Sequence, residues 1–310
     1  MINISCIILN FNTTGYTIDC VNSIMAFTDS SFAYEIIIVD NASQQAEYLK
    51  LKKFCGKLGS SKVHLVRSKQ NLGFGGGNMF GIQYSSRCNY YAFINNDTLF
   101  TTKNCLGKLQ VFMQNNPDAG ICSPQMLDEN KNFRVTIDHY SSLQREILRR
   151  PLLEYLFPKV YLNRKKTYPE PTKVHYVQGS FMFVDADLFN KSGGFDTNLF
   201  LYYEESDLCL RLKKEYKKNT YLIPDLTYLH YKSASMKKGT TIKIEQKISL
   251  LYHTRKHYGW LSYKLLLLYF IIRYLFTSIL KPSYFALLKI LLIGAPLTKS
   301  LKLKQPLYME

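Results

Sequence analysis

The first hundred residues alternate short apolar runs with amphipathic ones, and three of the apolar runs stop at an asparagine or aspartate. Ile4 to Leu9 leads into Asn10-Phe11-Asn12. Thr14 to Phe27 follows with Ile18, Val21, Ile24 and Met25 at helical spacing, and Glu35 to Val39 ends at Asp40. Strand, helix and strand repeated from the start predict a parallel sheet with right-handed crossovers. Ligands of such sheets collect at the carboxyl ends of the strands, so the polar stops are the first candidates for chemistry. The sharpest case is Tyr90 to Thr98, a strand of aromatic and branched residues that closes on Asn95-Asn96-Asp97 with Asp97 as its only acid. Such residues more commonly form a polar turn or helix cap, and Asp40 has a competing use as a cap for a helix over Gln44 to Phe54.

A third strand, Val63 to Val66, precedes Asn71-Leu72-Gly73-Phe74-Gly75-Gly76-Gly77-Asn78, with a helix expected from Met79 to Ser86. Glycines ahead of a helix let backbone approach a phosphate. The run departs from the dinucleotide fingerprint at Asn78 and from the P-loop at Ile82, and a flexible connection explains it equally well. A helix around Lys103 to Asn115 and a strand over Ala119 to Met126 come next. Asp128 to Pro171 reads as an irregular, basic insertion with the character of a lid or acceptor-binding segment.

Gln178 to Asp185, including Gly179, reads as a further strand. Beyond Gly193-Gly194-Phe195-Asp196, the segment from Leu199 reaches Tyr203-Glu204-Glu205-Ser206-Asp207. The spacing of Leu208, Cys209, Leu212 and Tyr216 puts Glu204 and Glu205 at a helix start, with Asp207 and Arg211 four apart and able to pair. Acids at a helix start usually face solvent. Here an aromatic approach draws them inward, which suits a general base. His230 lies near the end of a last strand, Tyr221 to Tyr231, where a lone histidine is more often a core residue than a metal ligand.

The order of these features resembles glycosyltransferase family 2, the inverting enzymes of GT-A fold, and within it the bacterial rhamnosyltransferase-like branch. The resemblance runs from Ile4 to about Ser235, which with His230 matches a histidine and serine of that branch. It implies an α/β fold with a mixed, mostly parallel Rossmann-like sheet and flanking helices. It also implies that Asp97, with His230, binds Mg²⁺ or Mn²⁺, that Glu205 is the base with Glu204 as its alternate, and that Asn12 and Asp40 bind the nucleotide. Asn71, Gly73, Gly75, Asn78, Asn96, Gly179 and Asp207 complete the expected substrate-binding set. Two residues depart from the family pattern. Asn95 stands where many relatives have Asp, implying weaker or water-mediated metal binding, and Glu205 stands where the family base is Asp.

The chain carries 40 basic and 23 acidic residues, a formal net charge of +17. From Tyr231 to the end there are fourteen Lys or Arg against Glu245 and Glu310, so twelve of the seventeen net charges fall in the most apolar quarter. That placement disfavours a nucleic-acid-binding protein, which needs its basic patch with exposed aromatics on the folded domain. It favours a catalytic domain over residues 1–240 followed by apolar, basic helices over 241–310. Those helices are expected to lie on an anionic membrane surface, because Arg273 interrupts the longest apolar stretch. They could also pack into a homo-oligomer. Seven scattered cysteines without a Cys-x-x-Cys pair, and an N-terminal apolar run too short for a signal sequence, fit a reducing cytoplasm. The resulting expectation is an inverting hexosyltransferase on the inner face of the cell membrane. It would move one sugar, such as rhamnose or galactose, from a dTDP- or UDP-linked donor to a polyprenyl-diphosphate-linked glycan of O-antigen or capsule. A catalytically weak scaffold of the same fold is the alternative.

Overall fold

The computed structural model describes residues 2–29, 33–231 and 239–307; Ser235 lies outside them. The elements are β1 (Ile4–Asn10), α1 (Thr14–Phe27), β2 (Tyr34–Asp40), α2 (Gln45–Leu58), β3 (Val63–Arg67), α3 (Gly73–Ile82), β4 (Tyr90–Asn95), β5 (Thr98–Phe100), α4 (Cys105–Asn115) and β6 (Ala119–Leu127). They continue with β7 (Ile137–Asp138), α5 (Leu143–Leu156), β8 (Thr172–Val174), β9 (Tyr176–Val177), β10 (Phe181–Asp185), α6 (Ala186–Lys191), α7 (Glu204–Tyr216), β11 (Asn219–His230), α8 (Thr240–Leu280) and α9 (Phe285–Leu292).

Among the described residues the main sheet runs β3-β2-β1-β4-β10-β6-β11-β5, with β8 on β11. Its first four strands are parallel, and β10 then pairs antiparallel with both β4 and β6. Chain order reverses between β1 and β4, the crevice where open α/β sheets take ligands. Period-two alternation divides the core. Ile4, Cys6, Ile8, Ile36, Ile38, Ala92 and Ile94 pack under α1, α2 and α4, while Ile7, Ile37, Val39, Tyr91 and Phe93 pack under α3, α6 and α7. All seven cysteines are free.

Two expectations need correction. The glycine run is the first turns of α3 rather than a loop before it, because missing side chains let this helix press onto the sheet. A Cβ on Gly81 would lie 2.7 Å from Ile7 and Val39, and one on Gly77 would lie 3.0 Å from Leu9. The insertion is also more ordered than its composition implied. Ser142 caps α5 by accepting from the Arg145 N–H, and the helix breaks at Arg149 (φ 64°) just before Pro151. Its arginines are largely used internally, with Arg145, Arg150 and Arg164 converging on Asp138.

α8 is a hairpin. At Gly259 (φ 84°) the helix breaks, and its second arm, residues 260–280, folds back so that Leu266 and Phe270 join Ile248, Leu251, Leu287 and Leu291 in one apolar cluster. The first arm is fastened to the catalytic domain. Ser249 donates to the Leu201 carbonyl, Tyr252 to Asp196, and Lys256 and His257 to Asp207.

Candidate active site

At the carboxyl ends of β1 to β3 the parallel register places Asn10 beside Asp40 and Asp40 beside Arg67. Asn10 donates to Asp40 at 2.9 Å and to Ser43 at 3.1 Å, and Arg67 Nε closes on Asp40 at 3.2 Å. Asn12, in left-handed backbone (φ 57°), is exposed above this layer and accepts from the Gln44 N–H. Asp40 is therefore fully buried beneath the lip on which Asn12 stands. Arg67, which sequence reading left outside its strand, lies over the Tyr48 ring at 4.1 Å and completes the layer. The signal that would have found it is one more residue of strand, which sets Arg67 level with Asp40.

Asn41 donates to Asn71 Oδ1 and to the Gly73 carbonyl, and Asn71 accepts from the Gly73 N–H, so these residues shape the entry to α3. Gly73 (φ +74°) accommodates the loop before α7, since a Cβ there would meet the Phe200 carbonyl oxygen at 2.1 Å. At Gly75 a Cβ would meet Phe195 at 3.2 Å and Glu204 at 3.5 Å. Asn78 is buried and donates to the Phe74 carbonyl. Gly73, Gly75 and Asn78 thus pack closely against protein, in place of a flexible connection.

On the other side of the crevice, Asn96 anchors the end of β4 to α1 by donating to Thr13 and Thr17. Asp97 Oδ1 lies 3.0 Å from His230 Nε2, and the Asp97 carbonyl accepts from the Tyr231 N–H. β11 delivers His230 because it pairs antiparallel with β5 in the register His230 to Thr98. The structure thus brings together two side chains 133 residues apart in sequence. Among the described residues there is no group of three or more His, Cys, Asp or Glu able to hold an ion. One carboxylate and one imidazole fit a Mg²⁺ or Mn²⁺ whose remaining positions are taken by diphosphate oxygens and water, and do not fit an ion caged by protein alone.

Gly179 and Ser180 connect this pair to the acids of α7. The Ser180 carbonyl accepts from the Asn95 N–H at 2.9 Å, while the Gly179 N–H donates to Glu205 Oε1 at 2.9 Å. The backbone of Gly179 and Ser180 thus links Glu205 to the strand end that carries Asp97. Glu205 remains partly exposed, whereas Glu204 is 1% exposed. Burial raises the pKa of both, and Glu205 raises Glu204 further. Asp207 points the other way, fully buried among Arg211, Lys256 and His257. Burial by itself would raise it, but the His257 hydrogen bond and the Arg211 and Lys256 charges hold it well below the usual carboxylate range. Its expected substrate contact gives way to a clamp between α7 and α8.

A mixed, mostly parallel sheet with a reversed strand order, flanked by helices, defines a GT-A-like fold, with a polar lip over β1 and β2 and an Asp–His pair at the end of β4. The chain matches glycosyl transferase family 2 over residues 5–193 and belongs to that family. It is 26% identical over 183 residues to the low-salt glycan biosynthesis hexosyltransferase Agl10 of Haloferax volcanii, covering 58% of this chain and 54% of that protein. It is 28% identical over 99 residues to an N-acetylglucosaminyl-diphospho-decaprenol L-rhamnosyltransferase of Mycobacterium tuberculosis, covering 31% of this chain and 32% of that one. The chain therefore spans about half the length of the first of these relatives and a third of the second. In fold it is similar to the crystal structure of GalNAc-T7 with UDP, GalNAc and Mn²⁺, with a TM-score of 0.57 at 15% identity over 74% of this chain and 44% of that one.

Proposed function

We propose that the protein is an inverting glycosyltransferase that moves one hexose or deoxyhexose from a dTDP- or UDP-linked donor to a lipid-diphosphate-linked glycan. What supports this reading is the Asp97–His230 pair and its link to Glu205 through the backbone of Gly179 and Ser180. The nucleotide lies against the Asn12 lip, which Asp40 holds from beneath. A divalent ion at Asp97 and His230, when bound, offsets the charge that grows on the departing nucleoside diphosphate. Glu205 takes the proton of the acceptor hydroxyl as its oxygen attacks the sugar carbon, and its raised pKa makes it a stronger base than an ordinary glutamate. Glu204 is sealed at 1% exposure, which favours Glu205 over it as the base.

The Mycobacterium tuberculosis relative takes a decaprenol-linked diphospho-sugar by name and the Haloferax volcanii relative serves glycan biosynthesis, which favours a lipid-borne acceptor and one of surface polysaccharide such as O-antigen or capsule. The C-terminal helices supply a matching membrane contact. One helix, α8, is long and apolar enough to cross a membrane by length and composition. Its break at Gly259 and the outward stripe Leu261, Leu265, Leu268, Ile272, Leu275 and Ile279 favour peripheral attachment to the cytoplasmic face, with residues 260–280 in the interface. The test is donor hydrolysis and sugar transfer by purified protein with Mn²⁺. Turnover lost in Asp97→Ala and in Glu205→Gln supports the enzyme; a wild type that turns over no nucleotide sugar in a broad panel replaces it with the scaffold.

A further inference from the structure

The two arms of α8 and the start of α5 meet in a cluster of cations that the crevice chemistry does not use. Lys243 and Lys247 lie one turn apart on the first arm, and Arg273 faces them from the second. Their floor is aromatic. Lys247 Nζ sits 3.8 Å from the centroid of Phe270, Arg273 lies over Tyr274, and Lys243 donates to the hydroxyl of Tyr284, which stacks on Tyr274. Arg145 approaches from α5. The acid nearest to this group is Glu146, which is already bonded to Arg145, and Asp138 beyond it is shared by Arg145, Arg150 and Arg164. Among the described residues neither Lys247 nor Arg273 has an ion pair.

Lys243 and Lys247 are half-buried and Arg273 is exposed beside them; half-buried cations in excess of their carboxylates are unfavourable unless an anion joins them. The strain shows at Lys247, whose ammonium is pushed down to about 8 by burial and by Arg273 and Arg145, against the pull of Glu146. Two further facts say what kind of anion fits. Tyr203, the residue before Glu204, packs against the same apolar cluster that joins the arms of α8, so the cations adjoin the wall that carries Glu205. Arg273 stands on the arm that carries the outward apolar stripe, next to Ile272 and one turn from Phe276, both exposed.

We propose that Lys247 and Arg273, with Lys243, bind the phosphate head of the lipid-borne acceptor, its hydrocarbon chain lying along the stripe from Leu261 to Ile279. The site rests on the glycosyltransferase reading for its occupant, but its binding can be measured without turnover. It accounts for the hairpin as an acceptor dock as well as an anchor: the head is held at the α5–α8 junction and the terminal sugar extends toward Glu205.

The test uses the full chain and neutral phosphatidylcholine vesicles carrying a small fraction of polyprenyl diphosphate, or the same charge as phosphatidylglycerol. The expected result is preferential binding to the polyprenyl diphosphate vesicles, weakened by inorganic pyrophosphate. Lys247→Gln with Arg273→Gln should weaken that binding roughly 25-fold, on about fivefold per basic residue at a charged lipid surface, while Lys247→Arg alone retains it. Arg273 is exposed, so Arg273→Gln alone, expected to lose about fivefold, serves if the double variant melts early. Equal binding to both anionic vesicles, or undiminished binding by the variants, overturns the site. A wild type that shows the preference yet hydrolyses no donor keeps the site and removes the enzyme; an active enzyme without the preference does the reverse.

Discussion

Replacing Gly179 with alanine isolates the placement of Glu205 from its chemistry. A Cβ at Gly179 would stand 2.6 Å from Glu205 Oε1 and 2.9 Å from Phe74 Cζ, where ordinary contacts begin near 3.4 Å. Both neighbours are the far ends of side chains, so the backbone holds and the carboxylate retreats by about 0.8 Å. Misplacing a reacting group by about 1 Å costs on the order of 10²-fold in rate, or about 2.7 kcal/mol of barrier. The added methyl group should destabilise the fold by about 1–3 kcal/mol, lowering Tm by only several degrees. Sugar transfer at saturating donor, measured beside a thermal melt, separates the two effects. A Gly179→Ala protein with the expected small loss in Tm and a kcat close to wild type would show that Glu205 does not act from where the Gly179 N–H holds it.

Three further outcomes follow from the same geometry. Because burial raises Glu205, it keeps its proton to a higher pH than a free glutamate, so the acid limb of kcat/KM should lie above the ordinary glutamate range; a limb at or below that range contradicts its role as base. The same shift means that its contribution to stability is present below the unfolded pKa and fades as pH rises through the folded one. Asp207 has the opposite sign: its depressed pKa stabilises above the ordinary aspartate value and is lost as pH falls through the folded one. Asp207→Asn should therefore cost about 3–5 kcal/mol near neutrality and flatten the acid side of the stability curve, read by denaturant melts at several pH values. Leu268→Glu with Leu275→Glu, both on the outward stripe, should leave the melt intact and abolish flotation with liposomes. An intact wild type that stays in solution as a closed oligomer would instead assign that stripe to a second copy of the chain. Cutting the chain after Tyr258 is a poorer test, since it strips Leu266 and Phe270 from Ile248 and Leu251.

Local pattern determined much of this protein. Alternating apolar residues in β1, β2 and β4 set two faces to bury, the helical spacing of α1 and α7 set theirs, and Asn or Asp at the strand ends marked the ligand side of the sheet. These are properties of neighbours within a few residues, which a sequence displays directly. What tertiary structure decided is everything that depends on which distant groups meet. Asp207 and Glu205 lie two residues apart, yet one faces the α8 clamp and the other the crevice, and helical rotation against two different partners makes that choice. The glycines before Asn78 read equally as a phosphate loop or a flexible connection, and only the fold puts Phe200, Phe195 and Leu9 in the space their side chains would fill. Net charge announced an anionic partner, but only the fold back at Gly259 sets Lys247 and Arg273 across from each other, because the position of a charge relative to its neighbours is fixed by packing and not by composition.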